Sequence, residues 1–201
     1  MKKTSMVIAL LLAGCAAGPS DEEISARALQ SMKTSFKENG QAKLDRLNQD
    51  ETQKLCSAAV GGPSKEVAAK LEKLNMASLK YPADGKLLGD WRQGERIAQT
   101  GTGMQYSDDP KVPSGANCYA CHQLSKAEIS FGTIAPTLYN FGKLRGYSPE
   151  IQRYAYGKIY NPQAYTACSN MPRFGHNGIL TEEQIRHVTA LLMDPASPVN
   201  Q

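Results

Sequence analysis

Histidine is scarce in this chain, with three in 201 residues, and tryptophan occurs once. No long Lys/Arg cluster appears and the net charge is only +4, so a nucleic-acid surface is not indicated. No run alternates apolar and polar residues long enough to read as a strand, which leaves helices as the expected regular structure. No segment repeats another, which excludes a solenoid or propeller. The apolar runs are too short to cross a bilayer as a mature helix. Cysteine is also sparse: Cys15, Cys56, Cys118, Cys121 and Cys168. What remains is a soluble composition, 41% hydrophobic and 21% charged, in a length that suits one domain with an extension.

The N-terminus reads as an export signal. Met1-Lys2-Lys3 is a positive start, and MVIALLLA is a short apolar run. Leu12-Ala13-Gly14-Cys15 resembles the bacterial lipobox, so residues 1–14 are expected to be removed and Cys15 to be lipidated. Ala16 in the next position resembles the pattern of lipoproteins sent to the outer membrane of Gram-negative cells. A plain secretory cut after Ala17 is the alternative. Either outcome puts the protein in the periplasm, and the first anchors it to a membrane.

Residues 15–88 are expected to be a tether and a helical extension. Ser20 opens a capping-box pattern with Glu23, and Asn39-Gly40 is a stop signal. Leu44, Leu47 and Leu55 suggest a second helix, and Val67, Leu71 and Leu74 one face of a third. These Lys/Glu/Gln-rich segments could dock on the rest of the chain or on a partner. From Gly89 the texture changes, and residues 89–201 are expected to form the main domain. Trp91 and Ile97 anchor a short helix in which Gly94 costs about 1 kcal/mol relative to Ala, a cost that a close helix crossing would justify. Phe131 to Gly146 is broken by Gly, Pro and Thr. A helix is predicted from Ser148 to Tyr160. Another opens at the Thr181–Gln184 capping box, with Ile185, Val188, Leu191 and Leu192 inward.

The chemistry concentrates in Asn117-Cys118-Tyr119-Ala120-Cys121-His122. A zinc site needs four ligands, and no second Cys or His pair is available. A redox dithiol of the thioredoxin kind needs a βαβ unit, and no parallel-strand pattern exists. Covalent haem attachment fits. Cys118 and Cys121 would form thioethers to one haem c, and His122, next in the turn, would be the proximal iron ligand. Pro136 is the candidate to hold the other nitrogen of His122 through its backbone carbonyl. Met171, in a loop stiffened by Pro172, is the candidate for the second axial position. His176 is the rival, and a Cys168 thiolate is a minor alternative. Cys56 and Cys168 either bridge, which would stabilise the fold by about 4–5 kcal/mol in a chain-entropy picture, or stay as two thiols.

With this motif, A-P-T-L and M-P-R-F-G in order, the chain resembles class I cytochromes c, an all-α fold whose first and last helices cross. The segments FGTIAPTLYNFGKLRGYS, RYAYGKIYNPQAYTACSNMPRFGHNGILTEEQI and LLMDPASPVN resemble more closely the SoxX family, monohaem subunits of the SoxAX cytochromes of bacterial sulfur oxidation. The resemblance covers roughly Leu88 to Asn200, and residues 20–87 lie outside it. It implies a heterodimer with SoxA that conjugates thiosulfate oxidatively to a cysteine of the carrier SoxYZ, an L-cysteine S-thiosulfotransferase. The thiol chemistry would belong to SoxA, and this chain would pass the electrons to another cytochrome c. Lys143, Arg145, Arg153, Lys158 and Arg173 could supply a docking patch or be solvated surface. The alternatives are a free-standing periplasmic cytochrome c shuttle and a catalytic haem protein with an open axial position.

Overall fold

Capping side chains written into the sequence start most of the helices. The computed structural model describes residues 18–201, so the expected signal 1–14 and the lipidation site Cys15 lie outside the described residues. Helix α1 (Asp21–Ser35) begins at Ser20, whose hydroxyl accepts from the Glu23 N–H while the Glu23 carboxylate accepts from the Ser20 N–H. It belongs to a unit that ends at Lys37, and residues 38–201 form a second compact unit. Asp50 and Gln53 make the same reciprocal box at α2 (Glu51–Ala58), and Ser64 caps α3 (Lys65–Ala77). Asp90 caps α4 (Trp91–Gln99). Caps of this kind are worth about 1 kcal/mol each. The short α5 (Phe141–Arg145) follows Asn140, which takes the left-handed φ of 58° that Asn tolerates. Helix α6 (Pro149–Tyr160) starts on a proline, whose fixed φ suits the first turn. The Thr181–Gln184 box opens α7 (Glu182–Met193).

Two details differ from the sequence reading. The expected helix through Leu44, Leu47 and Leu55 is broken into a 3-10 turn at Leu44–Leu47, which ends at Asn48, and α2, which Asp50 caps anew. Helix α5 lies in a stretch whose Gly and Pro breaks hid it. Among the described residues the only extended pairing is an isolated bridge between Asn39 and Ala42.

Helices α4 and α7 cross at Gly94. A Cβ there would overlap the carbonyl oxygen of His187 and lie 2.7 Å from its carbonyl carbon and 3.0 Å from the Leu191 Cβ. Only glycine lets the backbones approach this closely. The crossing is tied at its entrance, where Gly89 N–H donates to the Arg186 carbonyl (3.0 Å) and Asp90 N–H to the His187 Nδ1 (2.8 Å). His187 is thereby a structural histidine. Ile185, Val188, Leu191, Leu192 and Met193 carry α7 into a core shared with Ala98, Ala155, Tyr156, Ile159, Phe174 and Val199. Each large aliphatic side chain buried there contributes about 1.5–3 kcal/mol.

The second compact unit takes in residues 38–88 together with residues 89–201. Leu71 of α3 is fully buried. Asn75, also buried, donates to Thr52 Oγ1 (3.0 Å) and accepts from Asn161 Nδ2 (2.9 Å). The Arg153 guanidinium lies 3.6 Å over the Tyr81 ring, which also packs on Tyr156. Cys56 and Cys168 are joined in a disulfide with Cα atoms 5.3 Å apart, across 112 positions of chain. Segment 38–88 is part of the domain because its polar and apolar groups both find partners on α6 and the loop after it.

Gly94→Ala is expected to destabilise the protein by about 1–3 kcal/mol through overpacking at the crossing, although alanine is the better helix former. Urea denaturation of the purified variant beside wild type checks this.

Candidate functional site

The segment after α4 turns sharply at Asn117, whose φ is 44°, into a 3-10 turn at Cys118–Ala120. The Cys118 carbonyl accepts from both Cys121 N–H (3.1 Å) and His122 N–H (2.9 Å), so both cysteines and the histidine belong to one tight turn. Residues 131–138 run back along it. Gly132 N–H donates to the Tyr119 carbonyl (2.8 Å), Ala135 N–H to Cys121 (3.1 Å) and Leu138 N–H to Gln123 (2.8 Å). At Gly132 a Cβ would overlap the Ala120 carbonyl, so glycine is required for this contact.

Those backbone bonds flank Pro136 on both sides and fix its carbonyl. The His122 Nδ1 lies 2.6 Å from that oxygen. A carbonyl only accepts, so Nδ1 is the donor here, and in the neutral ring Nε2 is the nitrogen with a lone pair for a metal.

Cys118 and Cys121 are free thiols and partly buried. Burial pushes the Cys118 thiol up to about 12, with the charges of Cys121 and Glu95 adding to the shift. A raised pKa works against the thiolate that a redox dithiol uses. Among the described residues no group of three or more His, Cys, Asp or Glu side chains gathers around a metal position, so a zinc knuckle does not form from this turn.

Met171 is partly buried and packs on the same core cluster as Cys118, Phe131, Leu138 and Ile179. Its N–H donates to Ser169 Oγ (3.2 Å), and Gln163 Nε2 donates to the Ser169 carbonyl (2.9 Å). Cys168 is in the disulfide, which leaves no thiolate there for an iron. His176 is exposed; burial of its ring and then the Arg173 charge push its pKa down, with Asp50 opposing. Arg173 was a candidate for a docking patch, but it is only 7% exposed and pairs with Asp50 at 2.7 Å. A buried, paired guanidinium belongs to the loop's internal structure. Lys158 is half-buried and donates to Thr166 Oγ1 (2.8 Å). Lys143, Arg145 and Arg153 remain exposed.

One feature has no counterpart in the sequence reading. Tyr119, between the two cysteines, donates to Glu95 Oε1 on α4 (2.9 Å) and shares a hydrogen bond with Ser125 Oγ (3.2 Å). Gln99 Nε2 also donates to Glu95 Oε1 (2.9 Å), and the other oxygen of Glu95 is buried without a partner. Burial raises the Glu95 pKa against the lowering effect of the Tyr119 and Gln99 hydrogen bonds. Nothing in the local pattern singles out Glu95, because its partner lies in a different element.

The donor set fits a covalent haem: two thiols in one turn, an imidazole tied through Nδ1 to a carbonyl with Nε2 on its other side, a thioether on the shared core, and apolar neighbours. The cytochrome c family model matches residues 111–194. A protein of Aquifex aeolicus (strain VF5) described as an uncharacterized lipoprotein is 40% identical over 155 residues, covering 76% of this chain and 73% of that one. Residues 111–194 are thus a cytochrome c domain, with the all-α fold of class I. Covalently attached haem c is its cofactor and electron transfer its function. Among the described residues no helix is long and apolar enough to cross a membrane.

The neutral Glu95 carboxyl is favoured in the folded state, so its contribution to stability is complete below the ordinary Glu range and is lost as pH rises through the raised folded value. Glu95→Gln is expected to remove that fall. Thermal melts of both proteins from acid to neutral pH check it.

Proposed function

We propose that this chain is the electron-transfer subunit of a SoxAX-type cytochrome, with Cys118 and Cys121 holding the haem and His122 and Met171 ligating its iron. The 2.6 Å bond from His122 Nδ1 to the Pro136 carbonyl carries the site assignment. It sets the tautomer, orients the ring and makes Nε2 more basic, as an outer partner does for a metal-bound histidine. Bound there, a haem c supplies one-electron chemistry between ferric and ferrous iron. Met171 would offer its soft thioether as the second protein ligand, which would favour the reduced state and keep small ligands out. Pro172 limits the approach of that side chain. The site is thus suited to passing electrons and not to binding substrate.

The narrower reading rests on the likeness of residues 153–185 to SoxX sequences. In that reading SoxA carries the thiosulfate chemistry, SoxYZ is the carrier that receives the product, and another cytochrome c takes the electrons. Lys143, Arg145 and Arg153 offer exposed positive charge for docking. The lipoprotein description of the Aquifex aeolicus relative supports a lipid on Cys15 and a membrane-attached, periplasmic location.

Met171→Ala is expected to keep the haem covalently attached, to lose the methionine–iron charge-transfer band and to lower the reduction potential. An unchanged spectrum would rule out Met171 as a ligand and bring His176 forward. Co-expression with a SoxA and SoxYZ is expected to give a heterodimer whose haem is reduced by thiosulfate only when all partners are present. A chain that stays monomeric beside its SoxA would favour the free-standing shuttle. Tight carbon monoxide binding by the reduced native protein would mean an open axial position.

A further inference from the structure

The loop that carries Met171 is gripped by a segment that lies wholly before the cytochrome c match, which begins at residue 111. Three attachments reach the loop from residues 50–72. The Cys56–Cys168 disulfide holds it three positions before Met171. The Asp50–Arg173 ion pair, at 2.7 Å, holds it two positions after. The Glu72 carboxylate accepts from the Ala167 N–H at 3.2 Å. At the loop's root the fully buried Asn161 donates to Asn75 Oδ1 (2.9 Å) and Ser78 Oγ (3.0 Å).

Ordered turns flank the methionine, with Ser169 N–H on the Thr166 carbonyl and Asn177 N–H on the Arg173 carbonyl, but residues 170–172 between them have little of their own to hold their shape. Met171 N–H reaches only Ser169 Oγ, and Pro172 has no N–H to donate. Cys168 is held at a φ of 56°, a region unfavourable for a side-chain-bearing residue that the bridge helps maintain. Arg173 is nine-tenths buried, and Asp50 provides its ion pair. Without that carboxylate a buried guanidinium charge would drive the loop toward water.

We infer that segment 50–78 is a positioning brace for the axial methionine, fixing the loop on both sides of Met171 so that its thioether stays at the iron. This rests on the reading of Met171 as axial ligand. A ligand on a loop competes with external ligands in proportion to the fraction of time the loop is closed. Cutting an attachment therefore opens the sixth position without touching His122 or the thioether cysteines. A disulfide that only stabilised the fold as a whole would lower the melting temperature and leave that competition unchanged.

Imidazole titration of the ferric holoprotein tests this, because imidazole binds the iron only when Met171 has left. Cys56→Ser with Cys168→Ser is expected to bind imidazole about tenfold more tightly than wild type, with its methionine–iron band lost at lower denaturant than its helical signal. Asp50→Asn keeps an oxygen for the Gln53 N–H and removes the charge facing Arg173. It is expected to shift affinity the same way by a smaller factor, and it decides the matter if the serine variant does not yield holoprotein. In a Met171→Ala background, where the position is already open, neither change is expected to alter imidazole affinity. Wild-type imidazole affinity in both brace variants, with tighter binding in Met171→Ala, would overturn the brace alone. Unchanged affinity in Met171→Ala itself would overturn the ligand reading, and the brace with it.

Discussion

The backbone contact at Gly94 is the constraint on which the rest of the domain depends. Helix α4 leads into the cysteine turn, and α7 follows the methionine loop. Their crossing therefore sets the distance between the two halves of the site. The His187 carbonyl lies where any larger side chain at position 94 would stand. The hydrogen bonds from Gly89 and Asp90 to Arg186 and His187 hold the same crossing at its open end. Once the two helices are locked, the apolar face of α7 has one way to pack, against Ala98 and α6.

The two sides of the site are built by different means. The cysteine–histidine side is local. A single 3-10 turn gathers Cys118, Cys121 and His122, and the returning segment 131–138 bonds to it residue by residue until the Pro136 carbonyl meets the imidazole. The methionine side is assembled over distance. Its loop is shaped by a disulfide, an ion pair from the exposed Asp50 to the buried Arg173 and buried amide hydrogen bonds from α2, α3 and the turn after them. Loops with few internal bonds are the least stable parts of a fold, and external attachment is how such a loop keeps one shape.

Charge is used differently from what its sequence positions suggest. Of the basic side chains near the site, Arg173 is consumed internally by Asp50 and Lys158 by Thr166. Arg145 and Arg153 lie over aromatic rings while remaining exposed, which stiffens them as a docking surface would require. Glu95 is the opposite case, an acid pulled into the interior by Tyr119 from the middle of the cysteine motif. It couples α4 to the turn through that hydrogen bond.

What the sequence alone determined is what depends on near neighbours. The helix caps at Ser20 and Thr181, the inward face of α7, the need for glycine at position 94 and the gathering of Cys118, Cys121 and His122 in one turn all follow from residues within a few positions of one another. Even Pro136 was legible, because a proximal histidine needs an acceptor and the chain returns soon after the turn. Tertiary structure decided the rest: that residues 38–88 share a compact unit with residues 89–201, that Cys56 meets Cys168, that Arg173 is interior, and that Glu95 finds Tyr119. Each of those is a meeting of side chains far apart in the chain. Local propensity carries no information about which distant partner arrives, since that is settled only when the helices pack and their apolar faces leave water together.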